Sequence, residues 1–257
     1  MVRGLDTFRR FFKDFSGNYI LIGGAACDEH MTDAGLIFRA TKDLDLVLIV
    51  EALNTEFVQH FWRFVREGGY ETRQKSGGGR KYYRFLKPQK EIYPYQLELF
   101  ARNPDLLDLA DDTHLTPIPV DDDMSSLSAI LMNDDYYGFT IENSEVEDDL
   151  HRAGVETLIC LKAKAYLDLK KRKEKEEKID ERNINKHKND VVRLAVLLSP
   201  ENSRHLPDSI RDDMRQFMDL LKLEPPDYGT LGKLMGVPRL DEEVVVNQIK
   251  HTFILSV

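Results

Sequence analysis

Three acidic residues and a pair of glycines are the part of this 257-residue chain best suited to chemistry. Asp43 and Asp45 stand two apart in Arg39-Ala-Thr-Lys-Asp-Leu-Asp-Leu46, where an apolar stretch begins that runs to Val50. Strand alternation puts both carboxylates on one face, with Leu44 and Leu46 on the other. Two carboxylates held so close repel each other unless a positive charge lies between them, and a divalent cation is the usual one. Ahead of them, with 18 residues intervening, the apolar run Tyr19-Ile-Leu-Ile22 ends in Gly23-Gly24. A strand closed by two glycines can bring backbone N–H groups against a phosphate, because no side chain blocks the approach. The same pair also serves as a plain tight turn. Glu98, in Tyr95-Gln-Leu-Glu-Leu-Phe100, is a further acid in an apolar strand. Phosphoryl chemistry at two metal ions uses a third carboxylate facing the first two. Glu98 is either that ligand or a polar residue on the outer face of an alternating strand.

A second set lies in the later part of the chain. The helix expected from Val155 carries a stripe of Val155, Leu158, Ile159, position 162, Tyr166 and Leu169, and position 162 is a lysine. An ammonium on a buried stripe is costly unless it enters a polar cavity or meets an acid. Lys164, about 200° around the helix, is not so placed. Asp190 falls one turn before Leu194 inside the buried stripe of its own helix, so Lys162 and Asp190 are candidate partners. They are either part of a functional pocket or a structural ion pair joining two helices.

These residues need elements to position them. Leu5 to Phe15 has helical spacing, Tyr19 to Ile22 reads as a buried strand, and Ala25 to Met31 as a short helix. Leu44 to Val50 is a second strand, and Asn54 to Glu67 an amphipathic helix with Phe57, His60, Phe61 and Phe64 on one face. Tyr70 to Gln74 and Lys81 to Leu86 flank Ser76-Gly-Gly-Gly79, a hairpin signal, and Tyr93 to Phe100 makes a further strand. Residues 101–150 loosen into an acidic, proline-containing connection with short segments at Leu115–Val120 and Tyr136–Ile141. After Val155 the pattern is almost wholly helical: 155–178, 184–198, 207–223 and 241–255, punctuated by Pro200 and Pro225-Pro226. The expected fold class is α+β: a mixed β-sheet with flanking helices over 1–150, followed by a mainly helical domain over 151–257.

Composition narrows the function classes. A chain 42% hydrophobic and 32% charged has the make-up of a soluble globular protein. No apolar run approaches the roughly 20 residues of a membrane span, so no membrane partner is expected. Met1 to Asp6 carries an acid where a secretory leader needs an apolar run, and it reads as mature sequence. Cys27 and Cys160 sit in apolar helical patterns rather than at metal-ligand spacing, which fits a reducing, cytoplasmic setting. The net charge of −9 is uneven. Residues 101–150 hold fourteen acids against one arginine, which leaves the rest of the chain at +4 and permits a nucleotide or nucleic-acid partner. Two basic segments suit phosphate or base contacts, or are simply solvated: Ser76 to Arg84, and Lys170 to Lys188 with nine cations against five acids. Asp121-Asp-Asp123 fits helix capping better than metal binding.

Strand, Gly-Gly, helix, then Asp43-x-Asp45 resembles the signature of the polymerase-β-type nucleotidyltransferase superfamily. More narrowly, Arg39-Ala-Thr-Lys-Asp-Leu-Asp-Leu46 is similar to the AbiEii-type nucleotidyltransferase toxins of abortive-infection and toxin–antitoxin systems. Leu158-Ile-Cys-Leu-Lys-Ala-Lys-Ala165 and His187-Lys-Asn-Asp-Val-Val-Arg-Leu194 resemble that family's later motifs, so the likeness spans roughly residues 19 to 198. The resemblance implies a nucleotidyltransferase-type sheet domain and Mg2+-dependent transfer of an NMP from an NTP to an acceptor hydroxyl. It implies Mg2+ on Asp43 and Asp45, and the two-ion chemistry leaves Glu98 as the candidate third ligand. It places NTP contacts at Gly23, Gly24 and Thr41, with Lys162 and Asp190 in the nucleotide pocket and among the catalytic residues. One departure stands out: many members have Gly-Ser at the turn, whereas Gly24 offers only its backbone. The acceptor is left open between a tRNA, another RNA and a protein, and an antitoxin partner is implied for a toxin. The competing reading is a catalytically silent nucleotidyltransferase-fold module that binds a protein partner through its acidic segment.

Overall fold

The structure is a computed structural model that describes residues 2–71, 83–100, 130–175 and 177–255. The expected Ser76–Gly79 hairpin with Arg80, Lys81 and Tyr82, the Leu115–Val120 segment and the Asp121–Asp123 cap lie outside the described residues. The fold is mixed α/β. One six-stranded sheet is formed by β1 (Tyr19–Ile22), β2 (Asp43–Leu48), β3 (Tyr83–Leu86), β4 (Gln96–Phe100), β5 (Ser144–Glu147) and β6 (Leu150–Ala153), in the order β3-β4-β2-β1-β6-β5. The β1–β2, β3–β4 and β5–β6 pairs are antiparallel, while β2–β4 and β1–β6 are parallel.

Nine α-helices are present among the described residues: α1 (Leu5–Phe12), α2 (Gly23–Asp33), α3 (Thr55–Gly68), α4 (Asp134–Glu142), α5 (Val155–Glu174), α6 (Glu181–Ala195), α7 (Asp208–Leu223), α8 (Tyr228–Met235) and α9 (Glu242–Thr252). The stretch expected to be a connection therefore holds more than that beyond residue 130. Its 136–141 segment is helical, and β5 and β6 form a hairpin that extends the sheet. Two residues with positive φ, Asp148 (46°) and Asp149 (62°), turn that hairpin. A two-residue turn with both φ positive matches the right-handed twist of its strands, and aspartate tolerates the geometry better than most residues. In the C-terminal part, α8 is a helix that spacing alone did not indicate. Asp227 caps it by accepting from Thr230 N, and Gly236 at φ 86° ends it.

The chain divides into two compact units, and the division passes through α2 after Asp28. The described part of the first comprises 2–28, 40–71, 83–100 and 144–153. Its β1 is buried at every position, as a central strand must be. Tyr19, Leu21, Leu46, Leu97 and Phe85 share one sheet face through the strand registers. Aromatic rings of α1 and α3 cover that face: Phe8 and Phe12 meet Tyr19, and Phe61 and Trp62 meet Phe85 at 5.5 and 5.7 Å between ring centroids. Each such buried side chain contributes about 1.5–3 kcal/mol. Asn54 starts α3 by accepting Phe57 N through Oδ1, and Gly69 ends it at φ 66°.

The second unit comprises, in its described part, 29–39, 130–143, 154–175 and 177–255. Here α5 packs on α6 and α7. Tyr166 of α5 meets Phe217 of α7 edge to face at 5.6 Å. Lys164, which the helical stripe leaves off the buried face, pairs with Asp213 at 2.7 Å. No described helix is long and apolar enough to cross a membrane.

Candidate functional site

The strand registers decide which carboxylates share a face. Asp43 and Asp45 alternate with the buried Leu44 and Leu46 on β2. In the parallel β2–β4 pair, Asp45 stands directly opposite Glu98, and Asp43 opposite Gln96. Directly paired residues present their side chains on the same face, so Asp43, Asp45 and Glu98 lie on one side of the sheet, away from the α1 and α3 aromatics. Arg84, opposite Glu98 on β3, joins them.

The two glycines are fitted to this face. Gly23 begins α2 at φ 70°, in the left-handed region that disfavours any side chain. A Cβ there would lie 2.7 Å from Asp45 Cγ and overlap the carboxylate itself. On Gly24 a Cβ would come within 2.5 Å of Thr41 Oγ1. The backbone at the start of α2 thus approaches Asp45 and Thr41 more closely than any other residue type would permit. That gives the Gly-Gly pair a reason beyond turning the chain, in a place where helix N–H groups and macrodipole favour an anion.

Glu98 is only 6% exposed, and its Oε1 accepts from Arg84 Nε at 2.8 Å and from Gln96 Nε2, with Arg84 Nη2 at 2.7 Å. Among the described residues, no three Asp, Glu, His or Cys side chains are drawn together as a cation-binding cluster. Glu98 is turned toward a guanidinium. Arg84 was legible in the sequence only as one of several hairpin cations.

The second group of expected residues forms its own cluster within the second unit. Lys162 Nζ lies 3.3 Å from Asp190 Oδ2, with both side chains buried. Two arginines that the stripe argument did not select complete it. Arg39 grips Asp190 with Nε to Oδ1 at 2.9 Å and Nη2 to Oδ2 at 2.7 Å, and Arg193 Nη1 reaches Oδ1 at 3.2 Å. Arg193 follows Asp190 by three residues, the spacing at which helical neighbours meet, so a search for (i, i+3) ion pairs would have found it. No local spacing links Arg39 to Asp190. The Phe38 ring lies beneath both guanidiniums, at 5.2 Å from Arg39 and 6.0 Å from Arg193.

Burial pushes the Asp190 carboxyl up, but Lys162 and then Arg39 outweigh it and hold the group down to about 2. Asp190 thus receives three cationic side chains. Nearby on α6, Lys188 is also buried, donates to the Glu224 carbonyl at 2.7 Å and sits 5.8 Å from the Tyr166 ring centroid. Desolvation lowers its pKa. The structure therefore sets Asp43, Asp45 and Glu98 on one sheet face of the first unit, with Gly23 against Asp45 and Gly24 against Thr41, and pairs Lys162 with Asp190 in the second. No protein-family model matches the chain, and no curated protein matches it.

Proposed function

We propose that the chain is a Mg2+-dependent nucleotidyltransferase that moves an NMP from an NTP to an acceptor hydroxyl. One observation carries the reading: Asp43 and Asp45 share a sheet face with Glu98 while the Gly23-Gly24 backbone is pressed against Asp45 and Thr41. Hard carboxylate oxygens suit Mg2+, and the close backbone approach suits a phosphate. Asp43 and Asp45 would hold the ions, with Glu98 as the third ligand. Bound there, the metal supplies Lewis acidity toward the phosphoryl oxygens and lowers the acceptor hydroxyl's pKa.

The chain's own residues do the rest. N–H groups at the start of α2, with the Thr41 hydroxyl beside them, bind and orient the NTP phosphates. Asp45, packed against Gly23, has little room to wander and keeps its carboxylate oriented. In the second unit, Arg39, Lys162 and Arg193 gather on Asp190, and these are side chains of the kinds that bind phosphate oxygens. This is the role that the resemblance to AbiEii-type toxins gives to Lys162 and Asp190. The same resemblance suggests a tRNA end as acceptor, with another RNA or a protein as the other classes, and an antitoxin as binding partner.

The experiment is incubation with each radiolabelled NTP and total RNA or lysate, with Asp43→Asn and Asp45→Asn as controls. Label should pass to one class of acceptor and fall by at least about a thousandfold in either variant. Circular dichroism should show both variants folded. A folded Asp43→Asn/Asp45→Asn double variant that still labels its acceptor refutes the mechanism. Absence of any Mg2+ or NTP binding by calorimetry favours the silent module instead.

A further inference from the structure

The Arg84–Glu98 pair bears on how the carboxylate face is held before a divalent ion arrives, a role that rests on the proposed metal binding by Asp43 and Asp45. Glu98 is the acid directly across from Asp45, and both members of its ion pair are largely buried, with side chains 10% and 8% exposed. A carboxylate in such a position needs a compensating charge. Arginine stays protonated at any accessible pH, so this compensation cannot be relieved by losing a proton. It ends only when the guanidinium moves. Arg84 sits on β3, which pairs with β4 on one flank and takes a bridge from Glu71 to Leu86 on the other.

We propose that Arg84 is the internal counter-cation of this face: it holds Glu98 in the metal-free protein and competes with the divalent ion for that carboxylate. Occupancy by metal and the Arg84–Glu98 pair are then mutually opposed. Arg84 is a positioning residue that acts through Glu98, and its removal makes the face more negative and the ion better bound.

The test reads metal binding in the NTP-free protein rather than activity. Mn2+ affinity is measured by calorimetry or by the spectroscopic signal of free Mn2+ for the wild type, Arg84→Gln, Arg84→Lys and Glu98→Gln, and for Arg84→Gln combined with Glu98→Gln. Arg84→Gln should bind Mn2+ tighter by on the order of tenfold, because the ion no longer competes with a charged hydrogen-bond donor for Glu98. Arg84→Lys, which keeps the charge and loses the two-pronged grip, should fall between it and the wild type. In the Glu98→Gln background the Arg84→Gln effect should vanish. Should Arg84→Gln fail to fold, Arg84→Lys decides alone: unchanged or weaker Mn2+ binding overturns the proposal, as does the same result in folded Arg84→Gln. A wild type whose Mn2+ binding is absent, or is unaffected by Asp45→Asn, overturns the metal reading itself, which separates the two failures.

Discussion

Replacing Asp190 with Asn isolates the charge at the centre of the cationic cluster, because the side chain keeps its size and one carbonyl oxygen. In the wild type the carboxylate is fully buried and receives Lys162, Arg39 and Arg193. Its pKa is lowered from the ordinary 3.8 to about 2. A shift of about two units corresponds to about 2–3 kcal/mol of stability. Removing one partner of a buried ion pair costs about 3–5 kcal/mol, since the other is left uncompensated. Here one substitution removes the carboxylate that Lys162, Arg39 and Arg193 share, and the expected loss is about 3–4 kcal/mol. The sign with pH comes from the direction of the shift. A depressed carboxyl stabilises the fold fully above its ordinary value of 3.8 and loses that contribution as pH falls through about 2. The variant should show no such acid limb. Urea unfolding at neutral pH, followed by far-ultraviolet circular dichroism, gives the loss directly. Adding Lys162→Met to Asp190→Asn should restore at least about 1 kcal/mol, because the two side chains are coupled. A folded Asp190→Asn within about 1 kcal/mol of the wild type, or strict additivity with Lys162→Met, would refute the account.

Gly23→Ala should cost about 1–2 kcal/mol for the left-handed backbone alone. Because its Cβ must displace the Asp45 carboxylate, it should also weaken Mn2+ binding, so a melting curve and a Mn2+ titration check it together. His151 bridges Ser144 Oγ at 2.8 Å and the Ser16 carbonyl at 2.7 Å, and burial lowers its pKa against the opposing effect of the Ser16 carbonyl. A depressed imidazole stabilises the fold above its ordinary value of 6.5 and loses that contribution as pH falls through the folded value. Urea midpoints compared at about pH 7.5 and about pH 5 should drop for the wild type and change less in His151→Gln.

Much of this was legible because it is periodic. A lysine interrupting the Val155–Leu169 stripe announces its need for a partner, and Asp190 in the next helix answers it. Alternation along a strand likewise puts Asp43 and Asp45 on one face. What spacing cannot carry is register between distant strands. That Glu98 lies opposite Asp45, and Arg84 opposite Glu98, depends on strand order and pairing across β3, β4 and β2. The Arg39 grip on Asp190 spans 151 positions and left no trace in either local pattern. The β5–β6 hairpin was missed for a different reason. Ser144-Glu-Val-Glu147 is polar and mostly exposed, as an outermost strand often is, and its turn uses Asp-Asp rather than a glycine pair. A short helix holding Gly229 and Gly232, α8, is similarly weak in propensity and depends on its Asp227 cap and on packing.

The parallel pairing of β1 with β6 has a consequence in time. It joins Leu21 to Arg152 across most of the first 150 residues of the chain. During synthesis at about 5–20 residues per second, β1 would emerge roughly 7–25 seconds before the strand that closes its second edge. Until then one flank of an entirely apolar strand has no ladder partner, and an open, hydrophobic edge invites pairing with other chains. Closing so long a loop is also a slow step in refolding from denaturant. The nascent chain should therefore depend on chaperones for longer than its size alone would suggest, and dilute conditions should favour its recovery.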